Sequence, residues 1–127
     1  FRIAMRIDSL LGRLVVQNRS FEAAGIDAIQ DGLEQTSEPD LRALLDTQLA
    51  DEIQHVRFAN EWMPELTRRG GARATFELAR AVGQANEALR LIAGGAVTRY
   101  PVQVELRREA GFDDGEIAAV KESSPRA

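Results

Sequence analysis

Apolar residues recur at steps of three and four along most of the chain, and no stretch of useful length alternates apolar and polar residues as a half-buried strand does. This spacing predicts helix throughout. The helical pattern divides into segments over about 3–35, 38–69 and 72–93, followed by shorter pieces over about 102–110 and 115–122. Pro39 and the glycine pairs at 70–71 and 94–95 fall at the joints, where helices begin and end.

The first two segments predict a long antiparallel hairpin. Each has about 30 residues, or roughly 45 Å as an α-helix, and only a few residues separate them, with Ser37 as the expected N-cap of the second. We expect the buried stripe of the second segment to include Leu41, Val56 and Trp62. Such a hairpin is half of a four-helix bundle. The fold class is therefore all-α, a hairpin plus C-terminal helices in a single domain over 1–127, and we expect dimerisation to complete the bundle.

Composition narrows the class of protein without identifying it. The 127 residues are 44% hydrophobic and 28% charged, as in one ordinary globular domain. A net charge of −4 and a pI of about 5.1 disfavour binding to a nucleic-acid backbone. No apolar run is long enough to span a membrane. The absence of cysteine excludes disulfides and thiol catalysis, and a single histidine excludes a multi-histidine zinc site within one chain.

The sequence begins at Phe1 rather than at a methionine. No basic stretch leads into an apolar core and a small-residue cleavage site, so no signal peptide is visible. We therefore expect a cytoplasmic protein that starts inside a longer gene product or whose first residues were removed.

Three polar side chains interrupt the apolar stripes of the hairpin. Glu22 and Glu52 each lie at helical spacing from apolar residues on both sides, and His55 follows Glu52 by three, so all three are expected on buried faces. An ionised carboxylate in a bundle core is costly unless it is paired or metal-bound. Two carboxylates and an imidazole are ligands that iron and manganese accept. The sequence thus predicts a metal site, although Glu22 could instead pair with an arginine such as Arg19.

This ligand set is half of what a di-metal bundle uses, namely a Glu from each of two helices and a Glu-x-x-His from each of the other two. Two copies of the chain related by a two-fold axis would supply the whole set, as would a further hairpin in the full gene product. Otherwise the chain binds one ion or none. Asn18 and Gln48 each precede a candidate ligand by four residues and are candidate hydrogen-bond partners of the ligands, although ordinary helix polarity is the simpler interpretation.

The residues around these positions resemble the second half of ferritin-like proteins. Residues 21–29 (FEAAGIDAI) and 50–63 (ADEIQHVRFANEWM) are similar to an uncharacterised bacterial ferritin-like family related to tRNA-hydroxylase-type bundle oxygenases, and 106–120 resembles its C-terminal end. Ala59 stands where that family tends to have Gly. The family's first hairpin, with its own Glu and Glu-x-x-His, has no counterpart in these 127 residues. The chain is also similar to the short encapsulated ferritins, which assemble their site between two chains.

The resemblance implies that Glu22, Glu52 and His55 are ligands of iron, in a di-iron centre, or of manganese, with the site shared between the copies of a homodimer. It implies oxygen activation, with oxidation of ferrous iron or of a small substrate. No membrane or nucleic-acid partner is expected, and an RNA-modifying oxygenase ranks below the other readings. The alternative is a non-catalytic helical scaffold that kept the fold without the metal and docks a partner protein on its exposed apolar face.

Overall fold

A computed structural model describes residues 7–124, and every regular element in this part of the chain is helical. In chain order, the elements are α1 (Leu10–Arg13), a π-helical segment (Leu14–Phe21), α2 (Glu22–Gln35), α3 (Pro39–Ala93), α4 (Val104–Glu109) and α5 (Asp114–Glu122). The prediction of an all-α fold is confirmed. The first segment was predicted to begin near residue 3. Residues 3–6 lie outside the described part, and the helix begins only at Leu10, so the prediction was wrong for residues 7–9.

The first three elements form one uninterrupted helical run. It begins at Ser9, whose hydroxyl accepts a backbone hydrogen bond of 2.9 Å from the first turn, as N-cap serines do. The π-helical segment closes where the N–H of Glu22 donates to the carbonyl of Gln17, five residues earlier. Short π-helical turns are rare and are frequent at functional sites. Here they lead directly into the first candidate ligand.

Helix α3 consists of two limbs, 39–70 and 72–93, that meet in a kink at Gly71. This residue has φ 61° and ψ −149°, a conformation essentially restricted to glycine. The second limb ends at Gly94, which adopts the left-handed conformation (φ 71°) usual after a helix. The joints predicted at the two glycine pairs are therefore confirmed.

The N-cap of the first limb of α3 lies one residue later than predicted. It is Glu38, whose carboxylate accepts hydrogen bonds from the N–H groups of Asp40 (3.3 Å) and Leu41 (2.6 Å). Pro39 fits the first helical position because it has no N–H to satisfy. Ser37, the predicted N-cap, lies outside the helix, so that prediction was wrong.

Helix α2 and the first limb of α3 lie antiparallel, as predicted. A Cβ atom on Gly32 would lie 3.5 Å from Leu45, and one on Gly25 would lie 4.0 Å from Glu52, so the numbering rises on one helix as it falls on the other. The core between these helices also receives side chains from the C-terminal residues. Its buried members are Ala23, Ile26, Leu33, Leu49, Ile53, Val56, Ala110, Phe112 and Ile117.

A second core joins the beginning of the chain to the second limb of α3. Its buried members are Ile7, Leu11, Val15, Val16, Ala74, Ala81 and Ala85. Met63 and Leu66 of the first limb pack against this core as well. The kink at Gly71 thus lets both limbs of α3 pack against the first helical run.

Two residues of the predicted buried stripe are exposed. Leu41 is 42% and Trp62 is 43% exposed, whereas Val56 of the same stripe is fully buried. At about 100° per residue, Leu41 and Trp62 lie about 60° and 120° around the helix from Val56. The apolar stripe is therefore wider than the face that α2 covers. No helix in the described part of the chain has the length and apolar character that crossing a bilayer requires.

Candidate metal centre

The three predicted ligands converge between the helices of the hairpin. Glu22 opens α2, and Glu52 and His55 face it from the first limb of α3. One ligand atom from each side chain lies within 4.8 Å of the other two. Nδ1 of His55 is 3.6 Å from Oε2 of Glu22 and 3.8 Å from Oε2 of Glu52. Two antiparallel helices thus bring together groups that are about thirty residues apart in sequence.

The three side chains differ in exposure. The side chains of Glu22 and Glu52 are 16% and 22% exposed, whereas that of His55 is 55% exposed. The prediction that all three point into the core was wrong for His55. A step of three residues rotates a side chain by about 60° around the helix, and for His55 this rotation leads away from the core. The group therefore has two partly buried carboxylates and an imidazole at its solvent side.

One carboxylate oxygen of the group has no donor. Oε2 of Glu52 is buried and has no hydrogen-bond partner within the described residues. The nearby Nδ1 of His55, at 3.8 Å, is beyond hydrogen-bond distance. Burial raises the pKa of Glu52 above its ordinary value of 4.5, and the neighbouring Glu22 carboxylate raises it further, while His55 opposes the shift. Neither carboxylate pairs with an arginine or a lysine in the described part of the chain.

Of the two candidate hydrogen-bond partners, Asn18 reaches a ligand. Its Nδ2 donates to Oε2 of Glu22 over 3.1 Å, across the π-helical turns. Gln48 is exposed, and its side chain makes no hydrogen bond in the described part of the chain. Asn18 thus fixes the Glu22 carboxylate in the position from which it faces Glu52.

Arg19, the alternative partner of Glu22, is engaged elsewhere. Its guanidinium pairs with Glu116 of α5, and its Nε donates to Oδ1 of Asn60 over 2.7 Å. It also lies over the ring of Phe112, 4.6 Å from the centroid. The Arg19–Glu22 pair is therefore not formed, and this cation ties the C-terminal helices to the first helical run.

The burial of a further carboxylate, Asp27, was not predicted from the sequence. Asp27 of α2 is fully buried and accepts hydrogen bonds from Nε (3.2 Å) and Nη2 (2.6 Å) of Arg107 and from the N–H of Gln103 (2.9 Å). Arg107 is itself 4% exposed. The available signal was the position of Asp27 beside Ile26 and four residues after Ala23, which places it on the buried side of α2.

The donor set of the converging group fits a transition-metal ion. Carboxylate oxygens together with an imidazole nitrogen suit iron and manganese, and the three donor atoms are close enough for one ion to reach them with small side-chain movements. Oε2 of Glu52, which accepts no hydrogen bond, would gain the cation as a partner. The residues present therefore fit such an ion on chemical grounds.

Fold and site together define an all-α protein with a carboxylate–histidine group between two antiparallel helices. The chain belongs to the family described as "Protein of unknown function (DUF455)", which it matches over residues 1–118. This range includes the three converging side chains and the Asp27–Arg107 pair. No curated protein and no solved structure matches the chain.

Proposed function

We propose that this chain is a metal-binding protein of the ferritin-like type, in which Glu22, Glu52 and His55 hold iron or manganese. The observation that carries the proposal is the buried oxygen of Glu52 without a donor. Leaving a buried charged acceptor unsatisfied destabilises a fold, and a divalent cation at this position would remove that penalty. The convergence of a second carboxylate and an imidazole supports the same interpretation.

The proposed activity is the oxygen-dependent oxidation of ferrous iron or of a small substrate. Bound iron would supply the redox chemistry with dioxygen. The residues of the chain would bind and orient the ion: Asn18 holds the Glu22 carboxylate, and His55 offers its imidazole from the exposed side of the site. Ile26 and Val56, each four residues beyond a ligand, are fully buried and exclude water on the core side.

We further propose that the site is shared in a homodimer. One chain offers a single Glu and a single Glu-x-x-His, which is half of the set that a pair of ions needs. A second copy related by a two-fold axis would bring the other half. The open side of the group at His55 leaves room for such a completion.

Metal analysis of protein purified without a chelator and reconstituted with Fe²⁺ or Mn²⁺ tests the binding. We expect about one ion per chain, half of a di-metal set per copy. Glu52→Ala should remove this binding. Glu61→Ala, which removes an exposed acid from the same limb, should retain it. Metal-free wild-type protein under these conditions, or equal loss in both variants, would contradict the proposal.

Oxygen consumption after addition of ferrous iron tests the redox activity separately. We expect wild-type protein to consume dioxygen faster than buffer and Glu52→Ala to match the buffer rate. If wild-type protein binds iron stoichiometrically without accelerating oxygen consumption, metal binding stands and the redox activity is wrong.

The second candidate function is a non-catalytic scaffold that docks a partner. It is favoured by the exposure of Leu44 (63%) and Phe58 (51%) on the limb that carries Glu52. In this case the wild-type protein binds no metal, and Glu52→Ala makes the fold more stable by removing a poorly solvated charge. The metal content of the wild-type protein therefore separates the two functions, as does the stability of this variant relative to wild type when both are measured with Mn²⁺ present.

A further inference from the structure

The first limb of α3 carries a continuous row of exposed residues, spaced alternately three and four apart. This heptad row consists of Leu41, Leu44, Gln48, Asp51, His55, Phe58 and Trp62, all of them exposed. The spacing is that of a coiled-coil contact, and the row is about 32 Å long at the standard helix rise. Its apolar members are between 42% and 63% exposed. The core of the chain lies on the neighbouring face of the same helix.

The heptad row is apolar at both ends and polar in the middle. Leu41 and Leu44 stand at its start, and the rings of Phe58 and Trp62, with centroids 6.1 Å apart, stand at its end. If two copies of the limb lie antiparallel about residue 53, Leu44 faces Trp62 of the second copy. The same register sets Asp51 against His55. Four of the seven members of the row thus face a complementary residue in the antiparallel orientation.

The charge of the limb favours the same orientation. Residues 38–52 contain five acids and one arginine, a net charge of −4. Residues 53–70 contain three arginines and two acids, a net charge of +1 with the histidine neutral. An antiparallel pair places the acidic half of each copy beside the basic half of the other, whereas a parallel pair places like charges together.

We propose that the heptad row binds a second copy of this chain in antiparallel orientation, with Asp51 of each copy hydrogen-bonded to His55 of the other. Because His55 belongs both to the row and to the candidate metal group, closing the row covers the exposed side of that group. The Asp51 carboxylate then orients the imidazole, as carboxylates commonly do for metal-binding histidines. This orienting role rests on the proposed function, whereas the pairing of the copies follows from the row alone.

Sedimentation equilibrium of the chelator-treated full chain tests the pairing. We expect a dimer at micromolar concentration. The double variant Phe58→Glu/Trp62→Glu should weaken association on the order of 100-fold, because buried aromatic residues dominate such contacts. Phe76→Glu/Leu91→Glu is the matched control, since these side chains are 73% and 77% exposed on the second limb. A monomeric wild-type chain, or equal weakening in both double variants, would overturn the proposal.

Site-specific crosslinking tests the orientation, since the chain contains no cysteine of its own. Gln48→Cys chains mixed with Phe58→Cys chains should be joined by a short bismaleimide, and Gln48→Cys chains alone should crosslink poorly. Crosslinking of Gln48→Cys with itself in preference to the mixed pair would show a parallel arrangement and overturn the proposed register.

The proposed dimerisation and the proposed metal binding can be refuted separately. If Glu52→Ala and wild-type protein both dimerise but neither binds Fe²⁺, the pairing holds and the proposed function is wrong. If wild-type protein binds Fe²⁺ as a monomer, the metal binding holds, and both the pairing and the shared site are wrong. If the pairing is correct, Asp51→Asn should lower Fe²⁺ affinity about 10-fold in the dimer. No change in affinity would remove the orienting role of Asp51.

Discussion

Two carboxylates five residues apart on α2 meet opposite environments. Asp27 is fully buried and receives two hydrogen bonds from the guanidinium of Arg107. Glu22, with a side chain 16% exposed, faces a second carboxylate, Glu52, and an imidazole. The chain neutralises the deeper charge with its own cation and leaves the shallower pair without one. A poorly solvated carboxylate is a sign of function only where the fold has not already supplied its counter-ion.

The largest expected effect is the loss of folding stability when the buried Asp27–Arg107 pair is broken. Arg107→Ala leaves Asp27 buried without its cation, and breaking a buried pair in this way destabilises a protein by about 3–5 kcal/mol. Urea denaturation measures the loss. Arg108→Ala is the matched control, because Arg108 pairs at the surface with Glu105 and Asp114 and exposed pairs contribute about 0–1 kcal/mol. Similar losses in both variants would mean that Asp27 does not depend on Arg107.

The next largest effect is the stabilisation of the fold by a metal ion bound at Glu22, Glu52 and His55. A ligand present at about 100 times its dissociation constant stabilises the folded state by about 2.7 kcal/mol. We therefore expect Mn²⁺ at that concentration to raise the free energy of unfolding of wild-type protein by this amount, and a chelator to reverse it. Urea denaturation with and without the ion provides the measurement. Glu52→Ala should not respond, and an equal response in that variant would place the ion elsewhere.

Much of the fold could be predicted from local chemistry. The apolar spacing predicts the helices, and the conformations of Gly71 and Gly94 account for the joints that the glycine pairs predicted. Asp113 caps the last helix, and it forms both reciprocal hydrogen bonds of a capping box with Glu116, three residues on. Each of these features depends on residues that are close together in the sequence, and for this reason it can be predicted from the sequence.

The features that the sequence did not predict depend on contacts between distant residues, or on how much of the surface of α3 is covered by α2. Arg107 lies eighty residues from Asp27, so no local pattern announces their pair. Apolar character alone could not tell that Leu41 and Trp62 lie beyond the face that α2 covers. Convergence of Glu22, Glu52 and His55 was predictable because a short connection fixes the antiparallel alignment of two helices.

A smaller effect is expected at the residue that holds Glu22. Asn18→Ala removes the 3.1 Å hydrogen bond to the ligand oxygen, and loss of such an outer partner typically weakens metal binding 10-fold or more. Titration with Mn²⁺ should show this loss. The neighbouring, exposed Gln17 provides the control, since Gln17→Ala should keep the wild-type affinity. An unchanged affinity in Asn18→Ala would mean that Glu22 needs no support to face Glu52.

The smallest effect concerns the way in which the charge of Glu52 changes the stability of the metal-free protein. Burial and the Glu22 charge raise the pKa of Glu52 in the folded chain, so its contribution to stability is fully present below its ordinary pKa and is lost as the pH rises through the folded value. Glu52→Gln should therefore be more stable than wild-type protein at pH 7, by about 1 kcal/mol, with the difference shrinking towards pH 4. Urea denaturation over this range measures it, with the exposed-site variant Glu61→Gln as the control. With Mn²⁺ bound the order should invert, because the carboxylate that destabilises the empty fold is the one that holds the ion. A difference independent of pH would show that Glu52 is already satisfied, and the contrast with Asp27 would disappear.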